Sequence, residues 1–173
     1  MRYLPALIIC SLVLLAGCAK SRQDDDLSLP LRPHTGSLRI DGYYYNDYAN
    51  GSHRHYYFLF GNGVIVDARA YEISDTAKAE AYFSLPTWPV EIRKHKYGWG
   101  LFITEGNKIE FERWYPGGTP LQAFVSSGTI LNDTTFHITS SRRSNGDDDD
   151  SEDEVYHFRK FSPKPDSTND YVH

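Results

Sequence analysis

Short runs of aromatic and β-branched residues, separated by turns rich in Gly, Asn and Asp, recur along this chain from residue 37 onward and restrict its fold more than any other feature. The clearest run covers residues 108–115, where the apolar Ile109 and Phe111 alternate with charged residues. A period of two places the apolar side chains on one face of an extended chain, as in a half-buried β-strand. The abundance of Tyr also favours strands over helices. The sequence therefore predicts an all-β domain.

Eight segments of the chain fit a β-strand. They cover residues 38–45, 53–60, 64–71, 97–104, 108–115, 122–131, 134–142 and 154–161. One short helix, which begins near Ser74 and is ended by Pro86 and Pro89, interrupts the series, and Trp88 is expected to pack as a lid on the domain. Residues 90–96 give no clear prediction. Because eight sequential antiparallel strands either close or leave a long exposed edge, we predict an antiparallel up-and-down β-barrel of about eight strands over residues 37–162.

The turn Gly61-Asn62-Gly63 is a strong hairpin signal between two of these segments. A two-residue and a three-residue loop give registers that differ by one residue, which exchanges the two faces of the strand. We expect the three-residue loop, because it sets Phe58 opposite Val66 on one face.

The turn at residues 105–107 poses the same question for the next hairpin. A three-residue loop pairs Leu101 with Phe111 and Trp99 with Arg113, and the apolar pattern favours it over a shorter loop. Arg113 would then lie across Trp99 on the inner face as a cation–π pair.

The N-terminus differs in composition from the rest of the chain. Arg2 precedes an apolar run, Leu4 to Ala16, that is too short to span a bilayer and is typical of a secretory signal. The end of this run, Leu15-Ala16-Gly17-Cys18, closely resembles the lipobox of bacterial lipoproteins. That resemblance implies removal of residues 1–17 as a signal peptide, and a lipid anchor of the palmitate type on Cys18. The alternative is an ordinary signal peptide with a chance cysteine.

Residues 18–36 contain Asp24-Asp25-Asp26 and no apolar periodicity, so that we expect a disordered tether behind the lipidated cysteine. This acidic run resembles the signal that sends some Gram-negative lipoproteins to the cell surface. The other interpretation is that it only keeps the tether soluble. Ala19, the residue after the cysteine, resembles the residue found at this position in lipoproteins that are sorted to the outer membrane. We therefore expect the outer membrane, on its periplasmic or its exposed side, as the location.

Charge and cysteine usage agree with an exported protein. The formal net charge is −5, and no basic stripe offsets it, which argues against a nucleic-acid partner. Cys10 lies in the expected signal peptide and Cys18 would carry lipid, so that the mature chain has no thiol for a disulfide. The polar residues 163–173 are expected to form a flexible tail.

The barrel region is similar to the lipocalin-like lipoproteins of bacteria over residues 36–162. The residues that carry the similarity are Trp99-Gly100, Gly106, Ile109, Phe111 and Trp114, followed by Gly128, Asp133 and Phe136-His137-Ile138. Lipocalins carry Gly-x-Trp on their first strand, whereas Gly36-Ser37-Leu38 has Leu in the third position. Arg159 stands where that family places an Arg on its last strand. The resemblance implies a barrel around a cavity for a small apolar ligand.

Five residues are the candidates for lining such a cavity: Phe58, Trp99, Leu101, Phe111 and Arg113. Arg113 is the one charged group among them and would orient the ligand. The same side chains are also able to fill an eight-stranded barrel completely, so that the sequence leaves open whether the barrel is hollow.

A second hypothesis is a structural or interaction lipoprotein. Tyr43, Tyr44, Tyr45 and Tyr48 would form a rim that is presented to a partner protein or a glycan. Tyr suits such surfaces because it combines apolar area with a hydroxyl group.

The histidines permit two interpretations each. His53 and His55 are two residues apart and would share a strand face, as in a metal pair, but the sequence names no further ligand and surface histidines explain them equally. His137, His157 and Arg159 form either a polar lining of a cavity or the solvent face of the last strands.

Catalytic patterns are missing from the sequence. No nucleophile stands beside a recognisable base, and the acidic run Asp147–Asp153 lacks the spacing of a calcium loop and is expected to be a solvated loop. Glu110 and Glu112 share a strand face that the alternation assigns to solvent, which argues against a pair of catalytic carboxylates of the glycosidase type. We expect neither enzymatic activity nor a bound metal or cofactor.

Overall fold

The structure, a computed structural model, describes residues 23–46, 54–70, 72–146 and 149–173. Eight antiparallel strands in sequence order close into one barrel, in which the first strand pairs with the last. The strands are β1 (Gly42–Asn46), β2 (Tyr56–Leu59), β3 (Val64–Asp67), β4 (Trp99–Glu105), β5 (Lys108–Tyr115), β6 (Gln122–Asn132), β7 (Thr135–Arg143) and β8 (Asp149–Lys160). The predicted all-β, lipocalin-like up-and-down barrel is therefore confirmed.

Two short helices lie between β3 and β4: α1 (Thr76–Phe83) and α2 (Trp88–Arg93). Asp75, rather than Ser74, caps α1, because its carboxylate accepts hydrogen bonds from the backbone of Ala77 and Lys78. The second helix was not predicted. Pro89 lies in its first turn, where a missing N–H is tolerated, so that this proline begins a helix instead of ending one. No helix within the described residues has the length and apolarity to cross a membrane.

The two hairpin predictions have opposite outcomes. Phe58 pairs with Val66, as expected from the three-residue loop. In the β4–β5 hairpin, however, Phe102 pairs with Phe111, so that the predicted register is wrong by one residue. The loop there has only two residues, and Gly106 adopts a φ of 60°, which suits glycine at the first central position of a tight turn.

Buried apolar side chains form two clusters on opposite faces of the sheet. The inner cluster draws on all eight strands and consists of Leu38, Tyr44, Tyr57, Leu59, Ile65, Phe102, Ile109, Phe111, Ile130, Phe136, Ile138 and Tyr156. The outer cluster consists of Tyr43, Tyr56, Phe58, Phe60, Val64, Val66, Ala68, Ala70, Ala79, Phe83, Trp88, Ile92, Trp99 and Phe161. Tyr57 of β2 reaches Phe111 of β5 at 5.2 Å between ring centroids, which is possible only through the barrel interior. The helices cover the outer cluster, with Trp88 of α2 on Phe58.

Residues 23–36, here named the N-terminal strap, pack along the outside of the barrel. Asp25 pairs with Arg143 at 3.0 Å, and the backbone N–H groups of Ser28 and Leu29 donate to Glu112 at 2.7 Å. These residues therefore belong to the folded domain and do not form the disordered tether that we expected; residues 18–22 lie outside the described part.

The C-terminal residues are also in contact with the barrel. The amino group of Lys164 donates to the carbonyl oxygens of Ile40 and Leu59, and the hydroxyl group of Tyr171 donates to the carbonyl of Arg93 at 3.1 Å. The expectation of a flexible tail over residues 163–173 is therefore wrong. The polar composition of this segment suggested flexibility. Most of its contacts are hydrogen bonds to backbone carbonyl oxygens, which a sequence pattern does not predict.

Candidate functional site

Aromatic rings fill the middle of the barrel. Phe136 stacks on Tyr156 with ring centroids 4.9 Å apart, and Tyr156 stacks on Tyr57 at 5.2 Å. Phe111 touches both Tyr57 and Phe136. These four side chains come from four different strands, so that the described part of the interior is packed at this level.

One end of the barrel, here named the Leu38 end, is closed by the chain that leads into β1. Leu38 is only 3% exposed and joins the inner cluster. The backbone N–H of Arg39 donates to Asp133 in the β6–β7 turn, and the hydroxyl group of Tyr44 donates to the carbonyl of Arg39. At Gly36 a Cβ atom would lie 2.5 Å from the hydroxyl oxygen of Thr104, which explains why a glycine precedes the closing leucine.

The opposite end, here named the Arg113 end, contains a buried ion pair instead of an apolar plug. Nη1 of Arg113 donates to Asp67 at 3.0 Å, and Nη2 donates to the hydroxyl oxygen of Tyr57 at 2.8 Å. The guanidinium lies 4.4 Å from the ring centre of Tyr115 and 4.8 Å from that of Tyr57. Arg113 is 2% exposed, so that its charge is held almost entirely by these neighbours.

Strand alternation explains why these residues meet. Tyr57 shares a face with Leu59, Asp67 shares one with Ile65, and both of these apolar residues belong to the inner cluster. Arg113 follows Phe111 by two residues and points inward in the same way. Gly100 pairs directly with Arg113 and adds no side chain to the interior beside it.

The pKa directions in this cluster have clear physical causes. Burial alone would raise the pKa of Asp67, but His55, whose Nδ1 lies 3.6 Å from the carboxylate, and Arg113 lower it, and the net direction is downward. Burial raises the pKa of Tyr57 well above its ordinary value. Burial disfavours the charged form of Arg113, yet Tyr115, Tyr57 and Asp67 raise its pKa overall. At neutral pH the cluster therefore holds a cation and an anion next to a neutral phenol.

The Nε of Arg113 is the one guanidinium nitrogen left over. It is buried and has no hydrogen-bond partner among the described residues, whereas Nη1 and Nη2 are both engaged. An unsatisfied buried donor costs about 1–3 kcal/mol, so that an oxygen acceptor placed beside it would be stabilised.

Carboxylates on β8 add negative charge near this end. Burial, followed by repulsion from Glu154 and Asp150, raises the pKa of Glu152. The carboxylate of Glu154 accepts a hydrogen bond from the hydroxyl group of Tyr156 at 2.6 Å. Because Asp67 already balances Arg113, an additional anion at the Arg113 end would be repelled by these carboxylates.

The five residues proposed from the sequence do not line one cavity. Phe111 and Arg113 are inside the barrel, as predicted, but Phe58 and Trp99 belong to the outer cluster. The indole N–H of Trp99 donates to the carbonyl of Ile92 in α2 at 3.0 Å, so that this ring lies under a helix and not over Arg113. Leu101 alternates with Phe102 and also faces outward. The register error of one residue explains the misplacement of Trp99 and Leu101. Phe58 was instead assigned to the wrong face of a strand that is buried on both sides.

Sequence reasoning missed Asp67 and Tyr57 as partners of Arg113, and His55 as a neighbour of Asp67. One signal was present: Asp67 ends the apolar run of β3 and is in phase with the inward Ile65. A carboxylate on the inner face needs a cation across the barrel, and Arg113 is in phase on β5.

Among the described residues, the tyrosines of the predicted rim do not form an exposed surface. Tyr43 and Tyr44 are 0% and 1% exposed, one in each cluster, and Tyr45 is half-buried. Tyr48 lies outside the described residues. The interaction hypothesis therefore loses the surface on which it was based.

The remaining polar predictions concern residues on the outer face and have different outcomes. His137 pairs with Asp153 at 2.7 Å on the outside, and His157 is exposed, so that the interpretation of this group as a solvent face is confirmed. Glu112 is fully buried instead of exposed, because the N-terminal strap covers it.

Strand β8 begins at Asp149, so that most of the acidic run is a strand and not a loop. His53 and Asp147 lie outside the described residues. Among the residues that the structure does describe, no three His, Cys, Asp or Glu side chains are gathered as a metal ion would require.

Comparison of the chain with protein-family models, with curated proteins and with solved structures found no match. The lipocalin-like character of the domain is therefore a statement about strand order and closure. Function has to be argued from the chemistry of the Arg113 end.

Proposed function

We propose that this protein is an extracytoplasmic lipoprotein, anchored through Cys18, whose barrel binds a small and largely apolar molecule at the Arg113 end. The observation that carries the proposal is the unpartnered Nε of Arg113, a buried donor between the rings of Tyr57 and Tyr115. A ligand oxygen would complete the hydrogen bonding of this guanidinium. Among the described residues of the Leu38 end, no buried side-chain donor lacks a partner, and apolar side chains such as Leu38 lie there.

The surroundings of Arg113 restrict the chemistry of the ligand. Asp67 neutralises the guanidinium, and Glu152 and Glu154 are close by, so that an uncharged acceptor such as a carbonyl or hydroxyl group fits better than a carboxylate or phosphate. Tyr115 packs edge-on against Phe124 at 5.2 Å, which gives the site an apolar wall. The ring packing around Phe111 limits depth, so that the ligand has to be small.

The lipid anchor is supported by the sequence motif that ends at Cys18. Two or three acyl chains, at about 0.8 kcal/mol per buried CH₂ group, hold a protein on a bilayer essentially permanently. We place the anchored protein at the outer membrane, on the basis of Ala19 and the absence of an inner-membrane sorting pattern. Labelling with radioactive palmitate should depend on Cys18 and disappear in Cys18→Ala; labelling that persists in this variant would contradict the anchor.

Native mass spectrometry of the chain purified in mild detergent tests the binding site. We expect a co-purifying small molecule in the unmodified protein and at least a tenfold lower occupancy in Arg113→Lys, because Lys preserves the charge opposite Asp67 but has no Nε–H. The matched control is Arg159→Lys, which makes the same exchange at an outward-facing residue paired with Glu80.

The melting temperature of both variants shows whether they fold. Equal occupancy in folded Arg113→Lys and Arg159→Lys would contradict a site at Arg113. A protein from its own host that carries no small molecule at all would contradict the binding function itself.

A further inference from the structure

The start of the N-terminal strap is fixed at the Arg113 end. Asp24 pairs with Lys96 at 3.0 Å and accepts a hydrogen bond from the backbone N–H of Leu121 at 2.8 Å. Lys96 lies three residues before β4, and Leu121 directly precedes β6. Both strands begin at the Arg113 end, because Gly100 pairs with Arg113 and Gln122 with Tyr115.

Asp25 strengthens the same attachment. Its carboxylate accepts bonds from Arg143 and from the backbone N–H of Ala123, and its carbonyl accepts the indole N–H of Trp114 at 2.6 Å. The amino group of Lys96, which pairs with Asp24, lies 4.2 Å above the ring of Trp114, which donates to Asp25. The contacts of the two aspartates are therefore connected. Asp24 and Asp25, which the sequence placed in a disordered tether, are thus bound by two cations and by backbone donors.

From this attachment the strap runs along the barrel to the Leu38 end. Ser28 and Leu29 contact Glu112 on β5, and Arg32 pairs with Glu105 at the β4–β5 turn at 2.6 Å. The backbone N–H of His34 then donates to Gly61 in the β2–β3 turn. The strap therefore has a fixed direction, with its first residues at the Arg113 end.

Covalent geometry limits the separation between this end and the lipid. Five peptide units join Cys18 to Gln23, and a chain spans at most about 3.3–3.6 Å per residue, hence about 18 Å, whatever its conformation. A strand of eight residues such as β5 is about 26 Å long at about 3.3 Å per residue, and a tilt of about 40° to the barrel axis leaves roughly 20 Å between the Arg113 end and the Leu38 end.

We infer that the anchored barrel stands with its Arg113 end toward the bilayer surface, so that the proposed binding site faces the lipid headgroups and takes its ligand from the membrane. This inference rests on the lipid anchor and binding site of the proposed function. The two ends differ in the way such a role requires, since the end away from the lipid is closed by Leu38 and the end beside it holds the unpartnered donor. The ligand class is accordingly a membrane-soluble molecule with an uncharged oxygen acceptor.

Energy transfer from labelled single-cysteine variants to an acceptor lipid in the headgroup layer of phospholipid vesicles tests the orientation. Gly117→Cys carries the label at the Arg113 end, where an added side chain meets no atom within 4 Å, and Asn107→Cys carries it at the Leu38 end. Since Cys18 would be acylated and Cys10 removed, each introduced thiol is the only one to react. We expect roughly twofold or greater transfer from position 117 than from position 107, given the added strand length.

An insert of about 20 Gly and Ser residues after Ala19 serves as the control, because a long flexible linker removes the restriction without touching the strap. With the insert, transfer from the two positions should become equal. Equal or inverted transfer without the insert overturns the orientation while leaving the anchor intact. Failure of the protein to bind vesicles at all contradicts the anchor instead, so that the two outcomes are distinguishable.

Discussion

The inner and outer clusters are built from the same types of side chain but from different parts of the chain. Every strand contributes to the inner cluster, including β7 and β8 through Phe136 and Tyr156. The outer cluster uses only the first four strands, the two helices and the C-terminal residues. The inner cluster therefore forms only when the barrel closes, whereas the outer cluster forms when the connection between β3 and β4 folds back.

Truncation of one large ring in each cluster should separate these two requirements. Phe136→Ala and Phe83→Ala each remove a buried phenyl ring and should lower the free energy of unfolding by about 3–5 kcal/mol. In hydrogen exchange, Phe136→Ala should weaken protection in all eight strands, but Phe83→Ala only in α1, α2 and the strands beneath them. If Phe83→Ala weakens β6 to β8 as strongly, the two clusters form one cooperative unit and the distinction is wrong.

Ion pairs on the two sides of the barrel should differ in energy. Arg113→Met leaves Asp67 buried without its cation and should cost about 3–5 kcal/mol, while Arg159→Met breaks an outward pair with Glu80 and should cost less than about 1 kcal/mol. Urea unfolding measures both values. The double variant Arg113→Met with Asp67→Leu should regain most of the loss, and a double variant as unstable as Arg113→Met alone would show that packing, rather than an unpaired charge, is responsible.

Acid should loosen the outside of the barrel before the inside. The hydrogen bond from Leu121 lowers the pKa of Asp24, and that from Arg143 lowers the pKa of Asp25. Carboxylates with a lowered pKa stabilise the folded state above the unfolded value of 3.8, and this contribution is lost as the pH falls through the folded value. The backbone N–H groups of Leu121 and Ala123 should therefore stay protected from exchange at pH 5 and lose protection below pH 3.8.

The rings of the inner cluster do not titrate in this range, so that amide protection in β7 should persist after the strap has loosened. Asp25→Asn provides the comparison, because it removes the charge opposite Arg143 at every pH. Simultaneous loss of protection in the strap contacts and in β7 would contradict an independent strap.

Much of the fold was predictable, because a strand with one polar face shows a regular alternation of apolar and polar residues in its sequence. The bounds of β5 were predicted without error, β6 is one residue longer than predicted, and β7 is displaced by one residue at each end. Tyr56–Leu59 and Val64–Asp67, by contrast, are buried on both faces, and a continuous apolar run does not show which side is inside.

The candidate site was only half predictable for the same reason. Arg113 and Phe111 were assigned to the interior correctly, since the alternation of β5 gives their phase. Phe58 and Trp99 were wrongly assigned to the interior. They are buried on the outer face because α2 covers them there, and the sequence pattern did not predict that helix. The strap contacts were hidden as well, because carboxylates that accept backbone N–H groups look like any other acidic run.

The pairing of β1 with β8 joins residues 42–46 to residues 156–160 and so links the first strand of the barrel to the last. A polypeptide that is made or translocated from its N-terminus presents β1 long before β8 exists outside the machinery. During that interval the edge of β1 has unpaired N–H and C=O groups that are able to recruit the wrong strand. Closure is a late, long-range event, and the time from the emergence of Gly42 to that of Lys160 is the period in which this protein depends most on protection from aggregation.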